Sequence, residues 1–154
     1  MRQSILAFAS VSLITTTVAF AGGHGGNPAV NARNAHMSLY GFNLGILGDM
    51  AKGTTEYDSA LATEAANNLA ALAAFDQTAY WIEGTEQDAA LGSRAKAEIW
   101  SDAAGWEEQM KAMEDGAASL AAVAGNGLEA LQGGMRVAGS ACGSCHKAFR
   151  GPRN

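Results

Sequence analysis

Cysteine, proline, basic charge and long apolar runs are all scarce in this chain. Its only two cysteines, Cys142 and Cys145, share one short stretch near the C-terminus. A four-cysteine zinc site needs a second pair, so it is excluded. The two prolines, Pro28 and Pro152, bracket the part expected to fold. Lysine and arginine number 10 against 15 acidic residues, a formal charge of -5. Nucleic-acid binding, which wants a basic patch, has no support; docking to a basic partner is compatible with this charge. The longest apolar stretch, Ile5 to Val18, is interrupted by serines and by Thr15 to Thr17. It falls short of the roughly 20 apolar residues of a membrane span. Preceded by Arg2 and followed by the small-x-small site Ala19-Phe20-Ala21, it reads as a signal peptide over 1–21. The remainder, 22–154, is then one domain with one core and no membrane segment.

What is present is Cys142-Gly143-Ser144-Cys145-His146. C-x-x-C-H is the attachment signature of a c-type haem. On a helix, positions i and i+3 share a face, so both sulfurs can meet one edge of a porphyrin. His146, four residues after Cys142, lies on the same face and can offer its imidazole to the iron. A plain disulfide or redox dithiol is the competing reading. A thioredoxin-type dithiol expects a strand-then-helix setting early in a βαβ unit, whereas this motif ends an all-helical chain. Export agrees with the motif, and the expected location is the periplasm.

The helices follow from apolar spacing. A first helix is predicted from Pro28 to about Lys52, capped by Asn27 and stopped by Gly53. Val30, Arg33, Met37, Tyr40, Leu44, Leu47 and Ala51 form its inward stripe. Arg33 there needs an anion such as a haem propionate, or must snorkel to solvent. His36 lies off the stripe by one position and is expected at the surface or flank, a bis-histidine haem being the lesser alternative. Gly41, Gly45 and Gly48 suggest a close approach of another helix or of the haem. A second helix is predicted from Glu56 to Ala74, capped by Thr54 or Thr55, with Leu61, Ala65, Asn68 or Leu69, Leu72 and Phe75 inward. Asp76 to Lys96 reads as a long connection with a short turn near Thr78 to Ile82, and Tyr80, Trp81 and Ile82 as cover for the core edge. A third helix carries Ile99, Ala103, Trp106, Met110, Met113, Ala117, Leu120 and Ala124 at heptad spacing. Its carboxylates Glu107, Glu108, Glu114 and Asp115 read as a solvated face. A fourth carries Leu128, Leu131, Met135, Ala138, Cys142, Cys145 and Phe149, so the motif cysteines fall on the core stripe. The expected fold is all-α: an antiparallel four-helix bundle with one covalently bound haem.

Cleavage after Ala21 would expose Gly22-Gly23-His24. A free amine, two amide nitrogens and that imidazole can form a square-planar Cu(II) or Ni(II) site; a solvated tail is the plainer reading.

The chain resembles the cytochrome c′ family, the class II c-type cytochromes. The likeness spans about Pro28 to Arg150 and rests on C-x-x-C-H near the C-terminus. It also includes Arg33, Lys52-Gly53 with Tyr57-Asp58, Glu98-Ile99-Trp100-Ser101-Asp102, and Arg150 one turn after His146. The resemblance implies one haem c held by Cys142, Cys145 and His146, with Arg33 and Arg150 near it. It places Met37 over the other haem face. In a low-spin branch a methionine there binds iron as sixth ligand; in high-spin members the iron stays five-coordinate. The first case implies single-electron transfer to redox partner proteins, with His146 and Met37 on the metal. The alternative implies binding of NO or CO. Neither is enzyme chemistry. Relatives of this kind occur as monomers or homodimers.

Overall fold

The computed structural model describes residues 26–152. The signal peptide over 1–21 and the Gly22-Gly23-His24 copper or nickel site lie outside the described residues.

Helix α1 spans Pro28–Lys52. The Asn27 side chain accepts from the N–H groups of Ala29 (2.9 Å) and Val30 (3.4 Å), and Pro28 fills the first turn, where its missing N–H costs nothing. Gly53, at φ 75°, ends the helix in the left-handed conformation. The Thr54 N–H reaches back to the Asp49 carbonyl at 2.9 Å, so the last carbonyls are satisfied.

Helix α2 spans Ser59–Ala73 and starts later than the spacing suggests. Asp58, not a threonine, caps it by accepting from the Leu61 N–H at 3.0 Å. Tyr57 explains the delay. Its hydroxyl donates to the Ala124 carbonyl (2.8 Å) and accepts from the Gly127 N–H (3.0 Å). The chain is thereby pinned across the turn between the last two helices before α2 can begin. The buried face is also rotated from expectation: Ala62, Ala65, Ala66, Leu69 and Ala73 face inward, while Leu61 and Phe75 are exposed. Alanines let α2 lie close to its neighbours, and that contact decides the face.

The connection that follows holds a 3₁₀ turn at Thr78–Tyr80. The expected third helix is two: α3, Glu98–Ser101, and α4, Ala103–Val123. The break is at Asp102 (φ -120°, ψ 64°), whose carboxylate accepts from the Gly105 N–H at 3.1 Å. A capping side chain of this kind competes with helix continuation. Ile99 stays buried, but Ala103 is exposed. Helix α5 spans Leu128–Phe149. Its end is tied to the connection: the Lys96 N–H donates to the Phe149 carbonyl (3.0 Å), and the Gly151 N–H to the Arg94 carbonyl (2.8 Å).

Helices α1, α2, α4 and α5 form an antiparallel four-helix bundle. Helices α4 and α5 approach closely at Gly134, where a Cβ would meet Leu120 Cδ1 at 2.7 Å and Leu120 Cα at 3.2 Å. Of the glycines expected to admit a helix or the haem, a Cβ at Gly41 or Gly45 would meet no protein atom within 4 Å, but Gly41 lines a cavity in the bundle, and a Cβ at Gly48 would meet Met135 Cε at 3.8 Å. Leu47, Met50, Leu69, Leu120 and Leu131 fill one part of the core. A second cluster, Ala95, Ile99 and Phe149 with Trp81, Trp100 and Trp106, closes the other. Among the described residues no helix is long and apolar enough to cross a membrane.

Candidate cofactor site

Between the two core clusters the bundle is hollow. The cavity measures about 410 Å³, within the usual range for cofactor sites. Helix α5 sends in Cys142, Cys145, His146 and Phe149; α1 sends in Arg33, Met37, Tyr40 and Leu44; α4 sends in Trp106, Gln109, Met110 and Met113. The connection closes it with Gln77, Trp81 and Arg94, and Arg150 follows at the end of α5. The six residues singled out by sequence, Cys142, Cys145, His146, Arg33, Met37 and Arg150, thus line one cavity.

Both thiols are free and half-buried, and Cys142 Sγ lies 3.5 Å from Met113 Sδ. Burial raises the pKa of Cys142. Burial and the neighbouring Cys142 push Cys145 up to about 11, against a smaller opposing effect of Arg150. A working redox dithiol needs the opposite, a depressed thiol pKa. His146 shifts downward, first from burial and then from Arg150 and Arg94. Its imidazole is therefore held neutral, as a metal ligand must be.

Arg33 is 2% exposed, so it does not snorkel. Its NH1 donates to the Tyr80 carbonyl (3.3 Å) and Thr85 Oγ1 (2.7 Å), and NH2 to Ser93 Oγ (2.6 Å) and the Thr85 carbonyl. The guanidinium also lies 5.2 Å from the Trp81 ring centroid. Neutral acceptors of the connection satisfy it, and burial lowers its pKa. His36 is not at the surface. It is 5% exposed, with Nε2 3.0 Å from the Leu72 carbonyl and its ring edge-on to Tyr40 at 4.9 Å. It belongs to the α1–α2 contact, while its neighbour Met37 lines the cavity.

Trp81, read from sequence as edge cover, is a wall residue, packed at 4.6 Å on Trp106. Gln77 and Gln109 carried no sequence signal at all. Among the described residues, Gln77 Oε1, Trp81 Nε1 and Gln109 Oε1 are buried side-chain polar atoms without a partner, and all three residues line the cavity. No three described His, Cys, Asp or Glu side chains gather as a bare metal ion would require. One neutral histidine, two thiols on the same helix face, an apolar wall and unspent polar atoms suit a large flat macrocycle that brings its own metal. The residues fit a haem.

The comparisons agree. The family model described as cytochrome c′ matches residues 28–150. Cytochrome c-554 of Cereibacter sphaeroides is 40% identical over 121 residues, covering 79% of this chain and 79% of that protein. The structure of cytochrome c′ from Rhodobacter sphaeroides superposes with a TM-score of 0.79 at 37% identity, covering 81% of this chain and 96% of that one. A carbon-monoxide-bound variant of cytochrome c prime from Alcaligenes xylosoxidans superposes at 0.70 with 31% identity, covering 80% and 94%. A ferrous variant of the same protein with bound NO superposes at 0.71 with 30% identity, covering 81% and 94%. By sequence, bundle and cavity, the chain belongs to the cytochrome c′ family, haem proteins that carry haem c covalently and serve as electron carriers or gas binders.

Proposed function

We propose that this chain is a periplasmic haem c protein that carries single electrons and takes a diatomic gas on the Met37 side of its cavity. Cys142 and Cys145 would hold the group through thioethers, and His146 would bind the iron. Haem c supplies a metal that changes by one electron and, with an axial position free, binds gases such as NO or CO. The chain's residues supply the setting. Helix α5 keeps both sulfurs and the imidazole on one face, burial keeps His146 neutral, and Trp81, Ile99, Trp106 and Phe149 exclude water. The α4 carboxylates Glu107, Glu108, Glu114 and Asp115 are exposed, away from this chemistry. The observation that carries the gas reading is one relative, whose variants hold CO and NO in structures that share the bundle at 30–31% identity.

One observation favours a second reading, in which Met37 is the sixth ligand. Met37 lines the same cavity as His146 but from α1, and a thioether is a good haem ligand that tends to raise the potential. The visible spectrum of the reduced protein separates the two. A broad single band that changes on adding CO is expected for the gas reading. Sharp α and β bands indifferent to CO would establish the Met37-ligated form, and Met37→Ala should then turn the spectrum high-spin. A protein without a Soret band would remove both.

A further inference from the structure

Tyr40 and Gln77 form a hydrogen-bonded polar pair in the cavity wall. They come from different elements, α1 and the connection, and both line the cavity. They are 6% and 5% exposed. Gln77 Nε2 donates to the Tyr40 hydroxyl at 3.3 Å, and Gln77 Oε1 has no partner. In this arrangement the Tyr40 O–H remains to be given. Turned over, the amide would accept the Tyr40 proton through Oε1 and leave its own N–H groups unspent. A hydrogen-bond donor without an acceptor survives either orientation, and leaving one buried is unfavourable.

Neither partner can easily turn away. Tyr40 is held edge-on by His36, whose own ring is fixed by the Leu72 carbonyl. Burial pushes the Tyr40 phenol up to about 12, against the opposing hydrogen bond from Gln77, so it keeps its proton. Tyr40 lies about one helical turn beyond Met37 on α1, and both side chains line the cavity, so the spare donor belongs to the Met37 side.

We propose that Tyr40 and Gln77 form a hydrogen-bonding subsite for a diatomic oxide held on the Met37 side of the cavity, donating to its outer oxygen. This rests on the gas reading above and deepens it. Variants of one relative bind CO and NO; the Tyr40–Gln77 pair would give such a ligand an oriented contact that a purely apolar wall would not.

The test uses the haem-loaded ferrous protein, CO as the probe, and infrared measurement of the C–O stretch. Four proteins are compared: the natural chain, Tyr40→Phe, Gln77→Leu and the double variant. If Met37 blocks the metal, the same series is built on Met37→Ala. A donor to the outer oxygen lowers the stretch, so the double variant should shift it upward and lose CO roughly two- to tenfold faster. A shift in Tyr40→Phe alone assigns the phenol as donor; a shift in Gln77→Leu alone assigns the amide. A CO adduct whose stretch is the same in all four proteins overturns the subsite and leaves the gas reading standing. A haem-loaded Met37→Ala protein that forms no CO adduct overturns both.

Discussion

Arg33 shows what one residue can and cannot disclose. Its place on an inward stripe announces a buried charge, and the spacing predicts that something must meet it. The partner is not legible, because the acceptors sit 47 to 60 residues away in a segment with no periodicity. Ser93 Oγ also donates to the Thr85 carbonyl at 2.7 Å, and Thr85 Oγ1 to the Ile82 carbonyl at 2.6 Å, so the connection is gathered around the guanidinium. Arg33→Met keeps the stem and removes the donors. Urea unfolding of the haem-loaded variant should show a loss of about 3 kcal/mol, the cost of stranding these buried acceptors. A loss below about 1 kcal/mol would show that the connection is held by other contacts. His36 and Met37 make the same point with opposite outcomes. One position apart, about 100° around the helix, one is buried against α2 and the other lines the cavity.

At the scale of elements, α1 is fully local in origin. Asn27, Pro28 and Gly53 mark its ends by capping chemistry, and the structure reproduces those bounds. The start of α2 is not local, because it depends on Tyr57 reaching the turn between α4 and α5. Glycine likewise acquires meaning only from what lies opposite. In α5, a Cβ at Gly134 would meet Leu120 and Val123 at 2.7 to 3.2 Å, whereas one at Gly139 would meet nothing within 4 Å. Gly139→Ala should therefore stabilise the protein by up to about 1 kcal/mol, through helix propensity alone. Gly134→Ala brings the same propensity gain but overpacks a backbone contact, and should destabilise by about 1 to 3 kcal/mol net. Thermal unfolding of the two haem-loaded variants checks both signs; equal shifts would mean that α4 and α5 separate freely at that point.

For the molecule as a whole, the cavity separates two packed clusters, and it is partly open to solvent. Its apolar wall forgoes roughly 25 cal/mol per Å² of burial while uncovered, so a cofactor that covers it stabilises the bundle. The Cys142→Ala/Cys145→Ala chain, which cannot be joined to a haem, should keep much of its far-UV helix signal and lose its sharp thermal transition. The end that Leu47, Met50, Leu69, Leu120 and Leu131 pack on their own should retain the most protection in hydrogen exchange. A variant that melts as sharply as the haem-loaded protein would show that the cavity is tolerated without its occupant.

The sequence by itself determined the class of cofactor, the helix that carries its anchors, and most of the inward stripes on α1, α4 and α5, although Met37, Ala103 and Leu128, each predicted inward, are exposed. Each is written in spacings of three and four residues, which a helix turns directly into a shared face. Only the tertiary structure decided where α2 begins, why α3 and α4 are separate, what satisfies Arg33, and that Tyr40 meets Gln77. Those outcomes depend on groups far apart in the chain coming within hydrogen-bonding distance, and no local pattern encodes a distance across the fold.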